Sequence, residues 1–262
     1  MAELESHPPG TFCWVELTTT DGPDARRFYG DVFGWTGDDV PVGPDSVYTM
    51  LRKNDRDVGA LYEMDAKQRA RGVPPAWLSY VSVAEADGTA GRVAELGGQV
   101  VAPPFDVFTA GRMAVLQDPA GAKLAIWEPR DHAGVGLKSV HGAPCWNELV
   151  TPDPDGMRAF YSGLFGWESL TKPIGGTPYT SWMLGGTPVG GMLRVREEWG
   201  DVPAHWAVYF AVDDCDDRAR AAEAGGGRVC VPPTDIPEVG RFAALTDPQG
   251  AAFSIIHLEE RA

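Results

Sequence analysis

Residues 12–18 alternate apolar and polar positions as a half-buried strand does, and residues 23–33 then change period. In that second stretch Ala25, Phe28, Tyr29 and Val32 fall on one helical face; Pro23 suits a helix start and Gly34 a helix stop. Short strands are expected around VYTMLR and VGALYEM. A second strand–helix passage follows, from WLSYVSV into ADGTAGRVAEL, ended by Gly97 and Gly98. VVAPPFDV, RMAVLQ and KLAIWE complete the strand candidates of this stretch.

The pattern then repeats. Residues 10–36 and 142–168 share 13 identities over 27 positions, among them Trp14/Trp146, Glu16/Glu148, Asp21/Asp153, Phe28/Phe160, Tyr29/Tyr161 and Trp35/Trp167. GRMAVLQDPAGAKLAIWE at 111–128 matches GRFAALTDPQGAAFSIIH at 240–257. The chain is therefore a tandem duplication. Units are expected at 10–129 and 142–259, joined by a Gly-containing linker at 130–141. Each unit reads as βαβββ–βαβββ, so four such modules make an α+β protein.

Composition narrows the function. The chain has 262 residues, 44% hydrophobic and 23% charged, as in a globular protein with sizeable cores. No apolar run is long enough for a membrane span, and the first residues lack a secretory signal, so a cytoplasmic location is expected. A formal charge of −15 argues against nucleic acid and anionic membranes as partners. Cys13 and Cys145 occupy matched places, and Cys215 and Cys230 have no partner at zinc spacing, so free thiols are expected. No phosphate loop, dinucleotide fingerprint or nucleophile–histidine spacing is present.

The strand–Asp–helix–FY…FGW run in each half, the ELGG and AEAGGG helix ends, and DPAG with DPQG resemble the vicinal oxygen chelate superfamily. Glyoxalase I, extradiol dioxygenases and bleomycin resistance proteins belong to that group. The resemblance spans nearly the whole chain and is nearest to a two-domain, glyoxalase-like subgroup, labelled hydroxylase in places and linked in part to antibiotic pathways. It implies tandem glyoxalase-like domains whose curled mixed sheets enclose clefts, and loops at 103–112 and 232–241 that cover them. It also implies a divalent metal held by His, Gln and Glu on the cleft strands.

Carried over position by position, the opening-strand ligands fall on Trp14 and Trp146, and the second-module ligands on Leu78 and Ala207. The late glutamate falls on Ala125 and Ser254. Indole, isobutyl and methyl groups cannot ligate a metal, so no cofactor is expected and a divalent ion is disfavoured. His205, two residues before Ala207, shares its face and stays a weak metal candidate. Glu63 is a possible further ligand in one half only, since Arg194 answers it in the other; His257 and Glu128, at matched positions, read as surface residues.

Period-two geometry places Trp14 and Glu16 on one face, with Leu78, Tyr80, Ala125 and Trp127 beside them. The second set is Trp146, Glu148, Ala207, Tyr209, Ser254 and Ile256. These describe an aromatic cavity holding one carboxylate, the make-up of a small-molecule site. Glu16 and Glu148 are either pocket groups, with a catalytic role open to them, or braces paired with Arg112, Arg241 or Lys123. The first half keeps Lys123 and Trp127 where the second has Ala252 and Ile256, so the clefts need not be equivalent. Three functions follow: a metal-free binder of a hydrophobic or aromatic molecule, an enzyme using a glutamate base, or an interaction protein with self-filled clefts. The internal pseudo-dimer is expected as a monomer or a homodimer.

Overall fold

The computed structural model describes residues 4–43 and 46–259. The first half runs β1 (Phe12–Thr19), α1 (Gly22–Phe33), β2 (Thr36–Gly43), β3 (Ser46–Lys53), β4 (Arg56–Glu63) and α2 (Ala66–Ala70). It continues with β5 (Ala76–Ser82), α3 (Ala86–Arg92), β6 (Gln99–Val107), β7 (Gly111–Gln117) and β8 (Lys123–Pro129). The second half repeats the order. Its first module is β9 (Pro144–Thr151), α4 (Pro154–Phe165), β10 (Glu168–Ile174), β11 (Thr177–Leu184) and β12 (Thr187–Arg194). Its second is β13 (His205–Ala211), α5 (Cys215–Ala224), β14 (Arg228–Ile236), β15 (Gly240–Thr246) and β16 (Ala252–Leu258). No helix among the described residues is long and apolar enough to cross a membrane.

Local chemistry explains the ends of the leading helices. Asp21 accepts the Asp24 amide and Asp153 accepts the Gly156 amide, each a side-chain cap on an otherwise orphaned donor. Gly34 and Gly166 close the same helices in the left-handed conformation, at φ of 70° and 72°. The buried residues of α1 include Ala25, Phe28, Tyr29 and Val32, the face the sequence pattern defines.

Each half forms one curled, mixed eight-stranded sheet, ordered β2-β3-β4-β1-β5-β8-β7-β6 in the first and β10-β11-β12-β9-β13-β16-β15-β14 in the second. β1 runs parallel to β4 and antiparallel to β5, which fuses the two modules of a half into one surface. The core lies on the helix-bearing faces, and neither half owns it. One cluster joins Phe28, Tyr29 and Phe33 of α1 and Trp77 of β5 to Phe210, Ala219, Phe253 and Ile255 of the second half. The other joins Val81, Leu116 and Leu124 to Phe160, Tyr161, Trp182 and Trp206.

Two hydrogen-bonded clamps cross between the halves inside these clusters. The Trp77 indole donates to the Tyr29 hydroxyl at 2.9 Å, and Tyr29 donates to Asp247 at 3.1 Å. In mirror fashion Trp206 donates to Tyr161 at 2.8 Å, and Tyr161 donates to Asp118 at 2.8 Å. Each aspartate also accepts two amides of its own DPxG turn, from Ala120 and Ala122 or from Gln249 and Ala251. The FY and DPxG motifs thus build the interface between repeats. The opposite, concave faces are left free to form sites.

Candidate functional site

The ladder registers bring the expected cleft residues together. Trp14 lies opposite Tyr80, Glu16 opposite Leu78, and Tyr80 opposite Ala125. Trp14, Tyr80, Ala125 and Trp127 form a distinct cluster with Leu78, Tyr48 and Met113 packed against it. In the second half Trp146 faces Tyr209, Glu148 faces Ala207, and Tyr209 faces Ser254. Tyr209 and Ile256 cluster there with Trp146, Ala207 and Phe242.

Two tyrosines that period-two reasoning leaves out, Tyr48 of β3 and Tyr179 of β11, complete each site. The Trp14 indole donates to the Tyr48 hydroxyl at 3.1 Å, which donates to Glu16 at 2.7 Å. Tyr80 also hydrogen-bonds this carboxyl, and its hydroxyl reaches Met113 Sδ at 3.9 Å. In the second half Trp146 donates to Tyr179 at 2.8 Å, and Tyr209 donates to Glu148 at 3.0 Å. Tyr179 bonds the same carboxyl. The repeated dipeptides Tyr48–Thr49 and Tyr179–Thr180 were the available signal. Gly191, opposite Glu148, makes room for this network, because a Cβ there would collide with the Tyr179 hydroxyl and crowd the Trp146 indole nitrogen.

Burial in the apolar cleft pushes Glu16 and Glu148 above the usual carboxylate range, while the tyrosine donors pull both part of the way back. Burial, followed by the charge of the neighbouring glutamate, pushes Tyr48, Tyr80, Tyr179 and Tyr209 up, so all four serve as neutral phenol donors. Each cleft therefore offers an aromatic wall and a carboxyl of raised proton affinity beside two phenols.

The arginines expected as braces point elsewhere. Arg112 pairs with Asp87 at 2.6 Å and Asp106 at 3.1 Å, and Arg241 with Asp216 at 2.6 Å and Asp235 at 2.8 Å. They sit opposite Glu128 and His257, one position out of phase with the cleft residues Trp127 and Ile256. Lys123 is exposed at the start of β8. Glu63, considered as a ligand, instead accepts the Gly22 amide at 3.1 Å at the start of α1 and pairs with Arg69. Glu128 accepts the Ala86 amide at 2.9 Å, Arg194 donates to the Pro152 carbonyl at 2.9 Å, and His257 Nδ1 lies 3.2 Å from the Val212 carbonyl. His205 lies opposite Val150 at the cleft rim, its Nδ1 2.8 Å from the Pro203 carbonyl.

This donor set does not fit a divalent metal. The concave positions carry Trp14, Leu78 and Ala125 in one half and Trp146, Ala207 and Ser254 in the other. The single glutamate of each cleft already accepts from its two tyrosines, and Ser254 is engaged with Tyr209. Among the described residues no three His, Cys, Asp or Glu side chains converge.

The clefts differ in their cover. In the first, the segment after β8 folds back over the aromatic wall. His132 meets Trp14 edge-on at 4.6 Å between ring centroids, and its carbonyl accepts the Trp127 indole at 2.9 Å. Its Nε2 lies 3.6 Å from Asp57, which the histidine and Arg52 together hold below the usual carboxylate range. Val135, whose amide bonds the Cys13 carbonyl, joins the cleft cluster. The sequence pattern alone marks this stretch only as a linker. In the second cleft Trp146 is half-buried, and no ring among the described residues packs on it.

Comparison with known proteins matches the chain twice to the Glyoxalase/Bleomycin resistance protein/Dioxygenase superfamily, over residues 11–126 and 141–255. The glyoxylase-named protein CFP32 of Mycobacterium tuberculosis is 42% identical over 258 residues, covering 98% of each chain. The anthracycline biosynthesis protein DnrV of Streptomyces peucetius is 36% identical over 262 residues, covering 96% of this chain and 94% of that one. Among solved structures, the Mn(II)-bound glyoxalase from Novosphingobium aromaticivorans superposes with a TM-score of 0.65 at 16% identity. That match covers 96% of this chain and 83% of the other, and shows a shared fold.

Proposed function

Because the chain belongs to the glyoxalase/bleomycin resistance/dioxygenase superfamily, and its clefts lack a donor set for the metal many members use, we propose that it binds a small, flat aromatic molecule without a metal. One observation carries this reading. In both halves the position that would hold the first metal ligand is a tryptophan whose indole is tied through a tyrosine to a cleft glutamate. The indole is thereby fixed, the half-buried Trp146 serves as the stacking surface, and the carboxyl–phenol group presents a hydrogen-bonding edge to a quinone or phenol. The likeness to an anthracycline biosynthesis protein supports a ligand of fused aromatic rings and a place in secondary metabolism or resistance.

Titration with the planar hydroxyanthraquinone alizarin, read by quenching of tryptophan fluorescence, tests it. The expected result is saturable binding that persists in EDTA. Binding that appears only with added metal, or no binding, would count against it.

A second reading is favoured by the raised affinity of Glu16 and Glu148 for protons. A buried carboxyl in that state suits general acid–base work in a hydroxylase, lyase, isomerase or dioxygenase. Turnover lost on Glu→Gln while alizarin still binds would distinguish it from binding alone.

A further inference from the structure

We propose that the second cleft is specific for planar aromatic acids, with Lys172 and Arg196 forming a cationic rim, beside His205, that receives the ligand's carboxylate. The inference rests on the aromatic reading above and adds a charge requirement to one half.

The argument begins with one row of side chains across each concave face. In the first half, registers align Ala76 with Thr18, Thr18 with Tyr62, Tyr62 with Tyr48, and Tyr48 with Val40. In the second, His205 lies opposite Val150, Val150 opposite Leu193, and Tyr179 opposite Lys172. Basic residues thus stand at both ends of the row where the first half has alanine and valine. Arg196 joins Lys172 as a second cation on the same face. Arg196 donates to the Thr177 hydroxyl at 2.7 Å, and Thr177 is two residues from Tyr179 on β11.

These cations are poorly neutralised. Lys172 makes no ion pair among the described residues. Arg196 lies over Trp199 at 5.5 Å and pairs with Glu198 at 3.6 Å, where both side chains are well exposed and the pair is weak. Glu168 shares the face but is four residues along β10 from Lys172, roughly 13 Å away. Lys172 and Arg196 stand beside the half-buried Trp146 in a chain of net charge −15, with Glu197, Glu198 and Asp201 following Arg196 in the chain. Together the two side chains would hold and orient a carboxylate while the ligand's rings lie on Trp146. The first cleft has the opposite lips: exposed Val40 and Phe105, and Phe108 at the hairpin tip, 72% accessible. Phe105 is answered by Thr234 in the second half.

Two matched probes test the proposal on the full chain: anthraquinone-2-carboxylate and the neutral 2-methylanthraquinone. The carboxylate should bind about tenfold more tightly, and raising the salt should erase most of that advantage. Substituting Lys172→Ala and Arg196→Ala together should weaken the carboxylate about tenfold and leave the neutral probe within about twofold. Arg220→Ala, which removes an exposed cation from α5 on the helix-bearing face, should alter neither. Equal affinity for the two probes, or an unchanged carboxylate affinity in the double variant, would overturn the charge requirement while leaving aromatic binding intact. Failure of both probes to bind would overturn the aromatic reading itself, and this inference with it.

Discussion

The helix-bearing faces and the concave faces of the two halves tell opposite stories. On the helix-bearing side the repeats are copies down to the hydrogen bond: Trp77–Tyr29–Asp247 in one cluster, Trp206–Tyr161–Asp118 in the other. On the concave side only the Trp–Tyr–Glu–Tyr core is copied. Around it, one cleft is covered by His132 and lipped by Val40 and Phe108, and the other is open and ringed by Lys172, Arg196 and His205. The shared interface constrains both copies, because each half supplies the other's core. A cleft needs only to keep its own strands and can diverge. The most repetitive motifs in this chain therefore report architecture, and the differences between repeats report function.

The largest expected effect breaks the conserved side. Asp118→Ala and Asp247→Ala each strand a buried tyrosine hydroxyl and free two turn amides, at a cost of about 3 kcal/mol. Urea unfolding should show the two variants equally destabilised, to within about 1 kcal/mol. A large inequality would mean the interface is not symmetric in energy.

A smaller effect sharpens the concave side. Burial raises the folded-state pKa of Glu16 and Glu148 above the ordinary value of 4.5, so over that interval the folded protein holds more protons than the unfolded chain. Their contribution is therefore most favourable below the ordinary value and is lost as pH rises through the folded-state value. Gln at both positions removes the penalty of a buried charge. The double variant should melt ~2 °C or more above wild type at pH 7, and this advantage should vanish near pH 4. Melting curves at the two pH values check the sign.

Much of this was legible in the sequence. The duplication, the face of α1, the glycine stops and the cleft positions Trp14, Glu16 and Tyr80 follow from period and repetition alone. β2 was not, because its TGDDVPVG is an edge strand with a single buried residue and no alternation to read. α2, five residues held by the Asp65–Gln68 capping box, is too short for a helical period. Tyr48 and Tyr179 reach the glutamates from strands two places away in the sheet, a contact set by β3–β4–β1 and β11–β12–β9 pairing. Arg112 and Arg241, candidate partners under the brace alternative, do not reach the glutamates because they sit one residue from the cleft face, and in a strand one residue reverses direction.

The central claim is that carboxyl–phenol networks and indoles occupy the places where metal ligands would stand. Elemental analysis of protein purified without a histidine tag tests it most directly. The account predicts manganese, iron, nickel and zinc each far below one equivalent per chain. Any of them near one equivalent would contradict it and return the clefts to metal chemistry.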